Sequence, residues 1–137
     1  AEAALKFPAL GYDGKSSFEN GIKASFAYLG ASNPDAYIAQ ISSVAKLGWM
    51  GNDVDKTEAI MTQKWIALGM VAPIQVFFDY NRTGFPYIPL SKTALQSRKP
   101  YRLMYPISEV TSNANNVPKM TAADAFTKND LTPFWLK

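Results

Sequence analysis

Asp79 and Arg82 are the two side chains whose types and spacing best suit a chemical site. They lie three residues apart in the stretch VFFDYNRTGFP, residues 76 to 86, so one helical face would carry both. As a general acid and base the pair is poor, because a neighbouring guanidinium keeps a carboxylate ionised and lowers its pKa. We therefore interpret Asp79 and Arg82 as a structural pair that fastens a helix end to the following loop, where Gly84 supplies a left-handed exit.

Two loop aromatics are the candidates for ligand contact. Trp49 is flanked by Gly48 and Gly51 in an expected loop, and Tyr12 lies in the turn-rich stretch GYDGK. The C–H faces of sugars stack on flat aromatic rings, which makes Trp49 and Tyr12 candidate ligand-binding residues. The alternative for Trp49 is that its side chain folds back onto the core, since a lone exposed tryptophan is uncommon. Trp65, in the helical stretch QKWIAL, is predicted to be a core residue.

Several classes of chemistry are excluded because the sequence contains neither cysteine nor histidine. Disulfides, thiol nucleophiles, Ser-His-Asp catalysis and zinc sites built from these residues are impossible within the chain. The acidic stretch 53–57 is not a calcium loop, because Lys64 stands where a bidentate glutamate is needed. We predict a binding protein, not an enzyme, with no cofactor and no metal. A carboxylate-based glycoside hydrolase stays open as a further hypothesis, although no two carboxylates form an obvious pair for it.

The charge of the chain is mild overall and uneven locally. There are 14 Lys and Arg residues against 11 Asp and Glu residues, which is weak evidence for nucleic-acid binding, and we expect no such partner. No acid occurs between Asp79 and Glu109. The cations in that interval are Arg82, Lys92, Arg98, Lys99 and Arg102. The favoured interpretation is a solvated connecting segment, and the alternative is a patch that meets acidic sugars, phosphates or a negative partner surface.

Helical periodicity and capping signals predict a mainly α fold for the first part of the chain. The expected helices cover about residues 1–7, 16–29, 34–46, 56–68 and 73–83. Two of them are predicted to begin with capping boxes, Ser16 with Glu19 and Asp55 with Glu58. Residues 85–137 carry six of the nine prolines and are predicted to be mostly irregular, with a short helical turn near 108–111. The first residues read as helix without a cap, so we expect a fragment or processed product.

Three groups of short motifs together resemble one known family. The motifs are EAAL at 2–5, GIKASF at 21–26 and YIAQ at 37–40; then QKWIAL at 63–68 and DYNRTGFP at 79–86; then RLMYPISEV at 102–110 with Asn113, Asn116 and Val117. In this order and spacing the chain resembles the C-terminal part of SusD/RagB-type outer-membrane lipoproteins. The resemblance covers nearly all of the chain. Gln75, Phe77 and the ending Pro-Phe-Trp-Leu-Lys depart from the family pattern, which affects local packing more than fold.

The resemblance implies a tetratricopeptide-like helical scaffold and a nutrient-binding function. Residues 1–137 would be the C-terminal portion of a SusD-like domain, with a helical part at 1–84 and an irregular, Pro-rich tail at 85–137 packed on the helices. The expected function is capture of an oligosaccharide, or in some members a peptide, and its delivery to a SusC-like TonB-dependent outer-membrane transporter. The expected location is the cell surface, through a lipid on a missing N-terminal portion. The alternative is a structural module that completes a partner chain and binds no small ligand.

Overall fold

Six α-helices make up most of the regular structure in this computed structural model, which describes residues 1–134. The first unit, Ala1–Tyr87, contains five of them: α1 (Glu2–Lys6), α2 (Gly14–Leu29), α3 (Pro34–Ile41), α4 (Asp53–Leu68) and α5 (Pro73–Thr83). The second unit begins at Ile88 and contains α6 (Ile107–Ser112). No strand occurs among residues 1–134. The predicted mainly α fold is therefore confirmed.

The helices α2 and α4 begin earlier than predicted, because other residues cap them. Asp13 accepts a hydrogen bond from the backbone N–H of Ser16 at 2.9 Å, so α2 begins at Gly14 and the predicted box of Ser16 with Glu19 is wrong. The capping box predicted at the start of α4, Asp55 with Glu58, is also wrong, because the box that forms joins Asn52 and Asp55. Asn52 accepts from the N–H of Asp55 at 3.0 Å, and the Asp55 carboxylate accepts from the N–H of Asn52 at 3.2 Å. Such caps each contribute about 1 kcal/mol.

The chain reverses direction directly after α3, five residues before the predicted end of that helix. The N–H of Val44 donates to the carbonyl of Ile41 at 2.9 Å, and the N–H of Gly48 donates to the carbonyl of Val44 at 2.9 Å. A Cβ atom at Gly48 would lie 2.1 Å from the Ile41 carbonyl oxygen. Only glycine permits this approach, so Gly48 fixes the path that brings Trp49 back towards α2.

The core of the first unit lies where α2, α3 and α4 meet. Phe18 and Ile22 of α2, Ile41 of α3 and Ala59 of α4 form a buried cluster. Burial of a large apolar side chain contributes about 1.5–3 kcal/mol. The helix α5 packs against α4, and α1 packs against both α2 and α4, so each helix of this unit touches at least one other along its length.

Trp65 is not a core residue, contrary to the prediction. The buried residues of α4 lie in its middle turns and include Ala59, Met61 and Gln63. In the last turn the side chains of Trp65 and Ile66 are 45% and 52% exposed. Helical spacing predicts which side chains share one face of a helix. It does not predict how much of that face other elements cover, and at Trp65 the cover is incomplete.

The second unit is held by a few polar contacts between its own segments. The N–H of Tyr101 donates to the Ala125 carbonyl at 2.8 Å, and Arg102 Nη1 donates to the Leu131 carbonyl at 2.6 Å. A 3₁₀-helix at Ala122–Phe126 begins with a reciprocal cap between Thr121 and Asp124. The expected helical turn near 108–111 corresponds to α6. The packing of residues 85–137 on the helices stays a prediction, and the chain ending from Trp135 lies outside the described residues.

We expect Phe18→Ala to lower the free energy of unfolding by about 3–5 kcal/mol, because Phe18 is 6% exposed at the centre of the core. Trp65→Ala should lower it by only about 1 kcal/mol, because the indole is half exposed. Urea denaturation of the 137-residue chain measures both values. Equal losses in the two variants would contradict the core assignment.

Candidate functional site

Asp79 and Arg82 belong to a larger network of alternating charges. Arg82 Nη2 lies 3.0 Å from Asp79 Oδ1 and 2.9 Å from Glu2 Oε2, and its Nη1 pairs with the other Glu2 oxygen. The pair with Glu2 is bidentate, which suits the planar guanidinium fork. Because Glu2 belongs to α1 and Arg82 to the last turn of α5, the contact joins residues 80 positions apart in the sequence.

Two lysines extend this network at its ends. Lys64 Nζ of α4 lies 2.6 Å from Asp79 Oδ2, and Lys6 Nζ lies 2.9 Å from Glu2 Oε1. Asp79 Oδ2 is buried and accepts no hydrogen bond of good geometry, so the nearby ammonium supplies its compensating charge. The network thus connects α1, α4 and α5.

The network is suited to fastening the fold and poorly suited to moving protons. The hydrogen bond from Arg82 lowers the pKa of Glu2 to about 2, with Lys6 contributing in the same direction. The same contact, together with Asp79, raises the pKa of Arg82 further above its already high value. Groups that hold their charge across the whole physiological range cannot exchange a proton there.

Trp49 lies half-buried against α2. This position agrees with the alternative that its side chain folds back onto the core. Its ring centre is 5.6 Å from that of Phe18, and a Cβ at Gly14 would meet the indole at 2.7 Å. Lys56 Nζ lies 5.8 Å from the ring centre. The indole therefore fills the space that the absent side chain of Gly14 leaves, and part of its surface stays accessible.

Tyr12 lies in the loop before α2 and is 60% exposed. No ring contact joins Tyr12 to Trp49 among the residues that the structure describes. Tyr12 nevertheless precedes Gly14 by two residues, and Gly14 touches the indole, so both aromatics belong to the N-terminal end of α2. The ligand-binding role of Tyr12 and Trp49 stays a prediction.

A small cavity next to Trp49 brings polar side chains to the same place. Its volume is about 50 Å³, and Lys15, Glu19 and Ser42 contribute to its lining. Lys15 Nζ and Glu19 Oε1 are 3.8 Å apart. An aromatic surface bordered by charged and hydroxyl groups can contact the C–H face of a sugar and hydrogen-bond its hydroxyls.

The sequence did not predict an apolar groove of about 500 Å³ along α2 and α4. Small residues on α2 leave the space, among them Ser17, Gly21 and Ala24, and larger side chains border it, among them Ile22, Phe26, Tyr37, Ile60, Ile66 and Leu68. The small residues recur at positions 17, 21 and 24, on one helical face. That spacing was the available signal for the groove.

One buried polar contact fixes the far wall of this groove. The Gln63 side chain lies 3.0 Å from the Tyr37 hydroxyl and also donates to the Leu47 carbonyl at 3.0 Å. The Tyr37 ring in turn packs on Phe26 with ring centres 5.5 Å apart. Gln63, the first residue of the QKWIAL stretch, thus holds α3 and the following turn against α4.

A protein-family model described as "Starch-binding associating with outer membrane", SusD-like_2, matches residues 1–106. This chain belongs to the SusD-like family. The SusD-like match covers every helix of the first unit and the start of the second, in agreement with the family resemblance of the motifs. No curated protein and no solved structure matches the chain.

The described residues of this SusD-like chain form neither a metal-binding cluster nor a membrane-crossing helix. Within residues 1–134, no three histidine, cysteine, aspartate or glutamate side chains cluster as they would around a metal ion. None of the helices described there combines the length and apolarity that crossing a membrane requires.

We expect the contact between Glu2 and Arg82 to stabilise the protein above about pH 4.5 and to be lost as the pH falls towards 2. The sign follows because the folded pKa of Glu2, about 2, lies below the ordinary value of 4.5. Glu2→Gln should lower the free energy of unfolding at pH 7 by about 1–2 kcal/mol, a discounted value because water screens the half-exposed Arg82.

Urea denaturation between pH 7 and 2.5 measures this effect, and Glu19→Gln is the matched control. Glu19 pairs with Lys15 within α2 at 3.8 Å and connects no second helix, so its loss should change stability by at most about 0.5 kcal/mol. A Glu2→Gln variant with the stability and pH dependence of the control would show that the network does not fasten the helices.

Proposed function

We propose that this protein captures a glycan at the outer-membrane surface and delivers it to a SusC-like TonB-dependent transporter, without chemical turnover. The observation that carries the proposal is the match of residues 1–106 to a family described as starch-binding and associating with the outer membrane. The contact between Glu2 and Arg82 supports a binding role, because it holds this carboxylate and this guanidinium in their charged forms. Starch-type oligosaccharides are the first ligands to test, and a peptide is the second.

The N-terminal end of α2 is the part of the first unit best suited to hold a sugar. Tyr12 offers an exposed ring, and Trp49 offers the accessible part of an indole that Phe18 and Gly14 hold in place. A ring that is already fixed loses little conformational entropy when a ligand stacks on it. Lys15 and Glu19 lie beside Trp49 and can bond the hydroxyl groups of a sugar.

Attachment to the membrane is proposed through a portion of the protein that lies outside this sequence. The lipid anchor of an outer-membrane lipoprotein is attached to a cysteine, and this sequence contains no cysteine. That N-terminal remainder is also a proposed partner of the helices described here.

The second candidate function is a structural module that completes a partner chain and binds no small ligand. The apolar groove along α2 and α4 favours it, because a groove of about 500 Å³ bordered by Ile22, Phe26 and Leu68 suits an amphipathic helix. Mass spectrometry of the intact preparation distinguishes the two functions. A second, N-terminal chain that copurifies, with no glycan binding by the assembly, would favour the structural module.

We expect Tyr12→Ala to weaken the binding of a malto-oligosaccharide about five- to tenfold, because the stacking surface is lost. Tyr28→Ala is the matched control, since Tyr28 is 75% exposed near the C-terminal end of α2, whereas Tyr12 lies in the loop before that helix. Isothermal titration calorimetry on the intact protein measures both affinities. Equal affinities of the two variants would remove Tyr12 from the site, and an absence of binding by the unaltered protein would overturn the proposed function.

Trp49→Ala is a less direct test than Tyr12→Ala. Because the indole packs on Phe18 and occupies the space above Gly14, its removal leaves a cavity and lowers stability as well as binding. Gly14→Ala is the complementary change, because the added Cβ would lie 2.7 Å from the indole and must displace it. A loss of affinity in Gly14→Ala would support Trp49 as a contact without removing its ring.

A further inference from the structure

The two units of this protein use their positive charges differently. In the first unit every lysine and arginine lies within 3.8 Å of a carboxylate: Lys6, Lys15, Lys23, Lys46, Lys56, Lys64 and Arg82. In the second unit, among the residues that the structure describes, no carboxylate pairs with Arg98, Arg102 or Lys128. These cations contact aromatic rings instead.

Tyr101 gathers two of these cations on one small surface. The Arg98 guanidinium carbon lies 4.0 Å from the centre of the Tyr101 ring, and Lys128 Nζ lies 5.6 Å from the same centre. Contact with the ring face stabilises each cation, and two like charges at one ring raise the local positive potential. The Tyr101 backbone N–H is bonded to the Ala125 carbonyl, so the ring is anchored within the unit.

Arg98 and Arg102 have the same Arg-x-x-Tyr spacing but differ in their hydrogen bonds. Arg102 stacks on Tyr105 at 4.6 Å and donates hydrogen bonds to the carbonyls of Leu103 and Leu131, so it holds the unit together. Arg98 stacks on Tyr101 and, within the described part of the chain, donates no hydrogen bond of its own. Stacking orients the plane of its guanidinium and leaves the N–H edge available for a bidentate oxyanion.

The acids of the second unit do not compensate this surface. The Asp124 carboxylate accepts hydrogen bonds from Thr121 and Asn129, which lower its pKa, and Glu109 is bonded to Asn113. Asp130 is exposed and pairs with no described cation. An anion that approaches Arg98 and Lys128 therefore meets cations that no bound carboxylate already neutralises.

We propose that Arg98 and Lys128, positioned by Tyr101, bind the carboxylate or sulfate group of an acidic oligosaccharide. The inference rests on the proposed glycan-binding function and names a ligand class that the family description does not give. Arg98 supplies the bidentate contact, Lys128 supplies a second charge, and Tyr101 is a positioning residue. Lys128 lies beyond the matched residues 1–106, so the site is a property of this chain and is not implied by the match.

The test compares two double variants of the intact chain that each remove two positive charges. Arg98→Ala with Lys128→Ala removes the proposed site, whereas Lys92→Ala with Lys119→Ala removes two other exposed cations of the same unit. The probes are an oligogalacturonate, which carries carboxylates, a heparin-derived oligosaccharide, which carries sulfates, and a neutral malto-oligosaccharide. Affinities are measured at 50 mM and 200 mM salt, with the melting temperature of each variant as the folding check.

We expect the site variant to lose at least tenfold in affinity for one of the two acidic probes at 50 mM salt, and the control variant to lose less than twofold. The probe affected tells whether the preferred group is a carboxylate or a sulfate. Arg98→Lys, which keeps the charge but not the fork, should lose part of the affinity. This milder variant keeps the test decisive if the double variant unfolds.

Four results would overturn the inference. Equal losses in the site and control variants would show that only net charge matters, as would equal competition by a DNA oligonucleotide. Binding of the malto-oligosaccharide without binding of either acidic probe would remove the inference and leave the proposed function intact. Binding of none of the three probes would count against both.

Discussion

The bidentate contact between Glu2 and Arg82 is the constraint that closes the first unit. It joins a helix of five residues, α1, to the end of α5. A helix this short has no stability of its own and depends on its neighbours. Exposed ion pairs contribute little singly, but here one guanidinium serves two carboxylates, and Lys64 on α4 meets one of them. The network therefore acts on three helices at once.

The aromatic end of α2 depends on two glycines. Gly48 lets the chain turn back under the Ile41 carbonyl, and Gly14 leaves room for the indole of Trp49. A side chain at Gly14 would displace the Trp49 indole, and a side chain at Gly48 would collide with the Ile41 carbonyl just before Trp49. The position of Trp49, a candidate ligand contact, therefore depends on the space that these two glycines leave beside the backbone. The same reasoning applies to the groove, which exists because small residues lie along one face of α2.

Features that depend on local sequence, such as the start and exit of α5, were predicted from the sequence. Features that depend on contacts between distant segments were not. The helix α5 begins at Pro73 and ends before Gly84, as predicted, because proline fixes the first turn and glycine the left-handed exit. The end of α3 was predicted too late, since the turn depends on the close approach of Gly48 to the carbonyl of Ile41, which no local pattern at the helix end indicates. The sequence predicts a core position for Trp65 because periodicity gives the helix face of a residue. Periodicity does not show how far other elements bury that face. The pair of Asp79 and Arg82 was predictable at three-residue spacing; its partner Glu2 was not, because no local signal connects positions 80 residues apart.

The contrast between the two units explains why one sequence can carry both a fastened scaffold and a binding surface. A cation that already meets a carboxylate gives up an existing contact when it binds an anion, so the net gain in free energy is small. A cation stacked on an aromatic ring keeps that contact and adds another, because the ring occupies its face and leaves its N–H edge open. The acid-free interval between Asp79 and Glu109 contains Arg98 and Arg102, two of the three cations in this second arrangement. Its favoured interpretation from sequence, a solvated connecting segment, did not include contacts between these cations and aromatic rings. The rings of Tyr101 and Tyr105 contact two of these cations, and the contact at Tyr101 positions the cation of the proposed anion site.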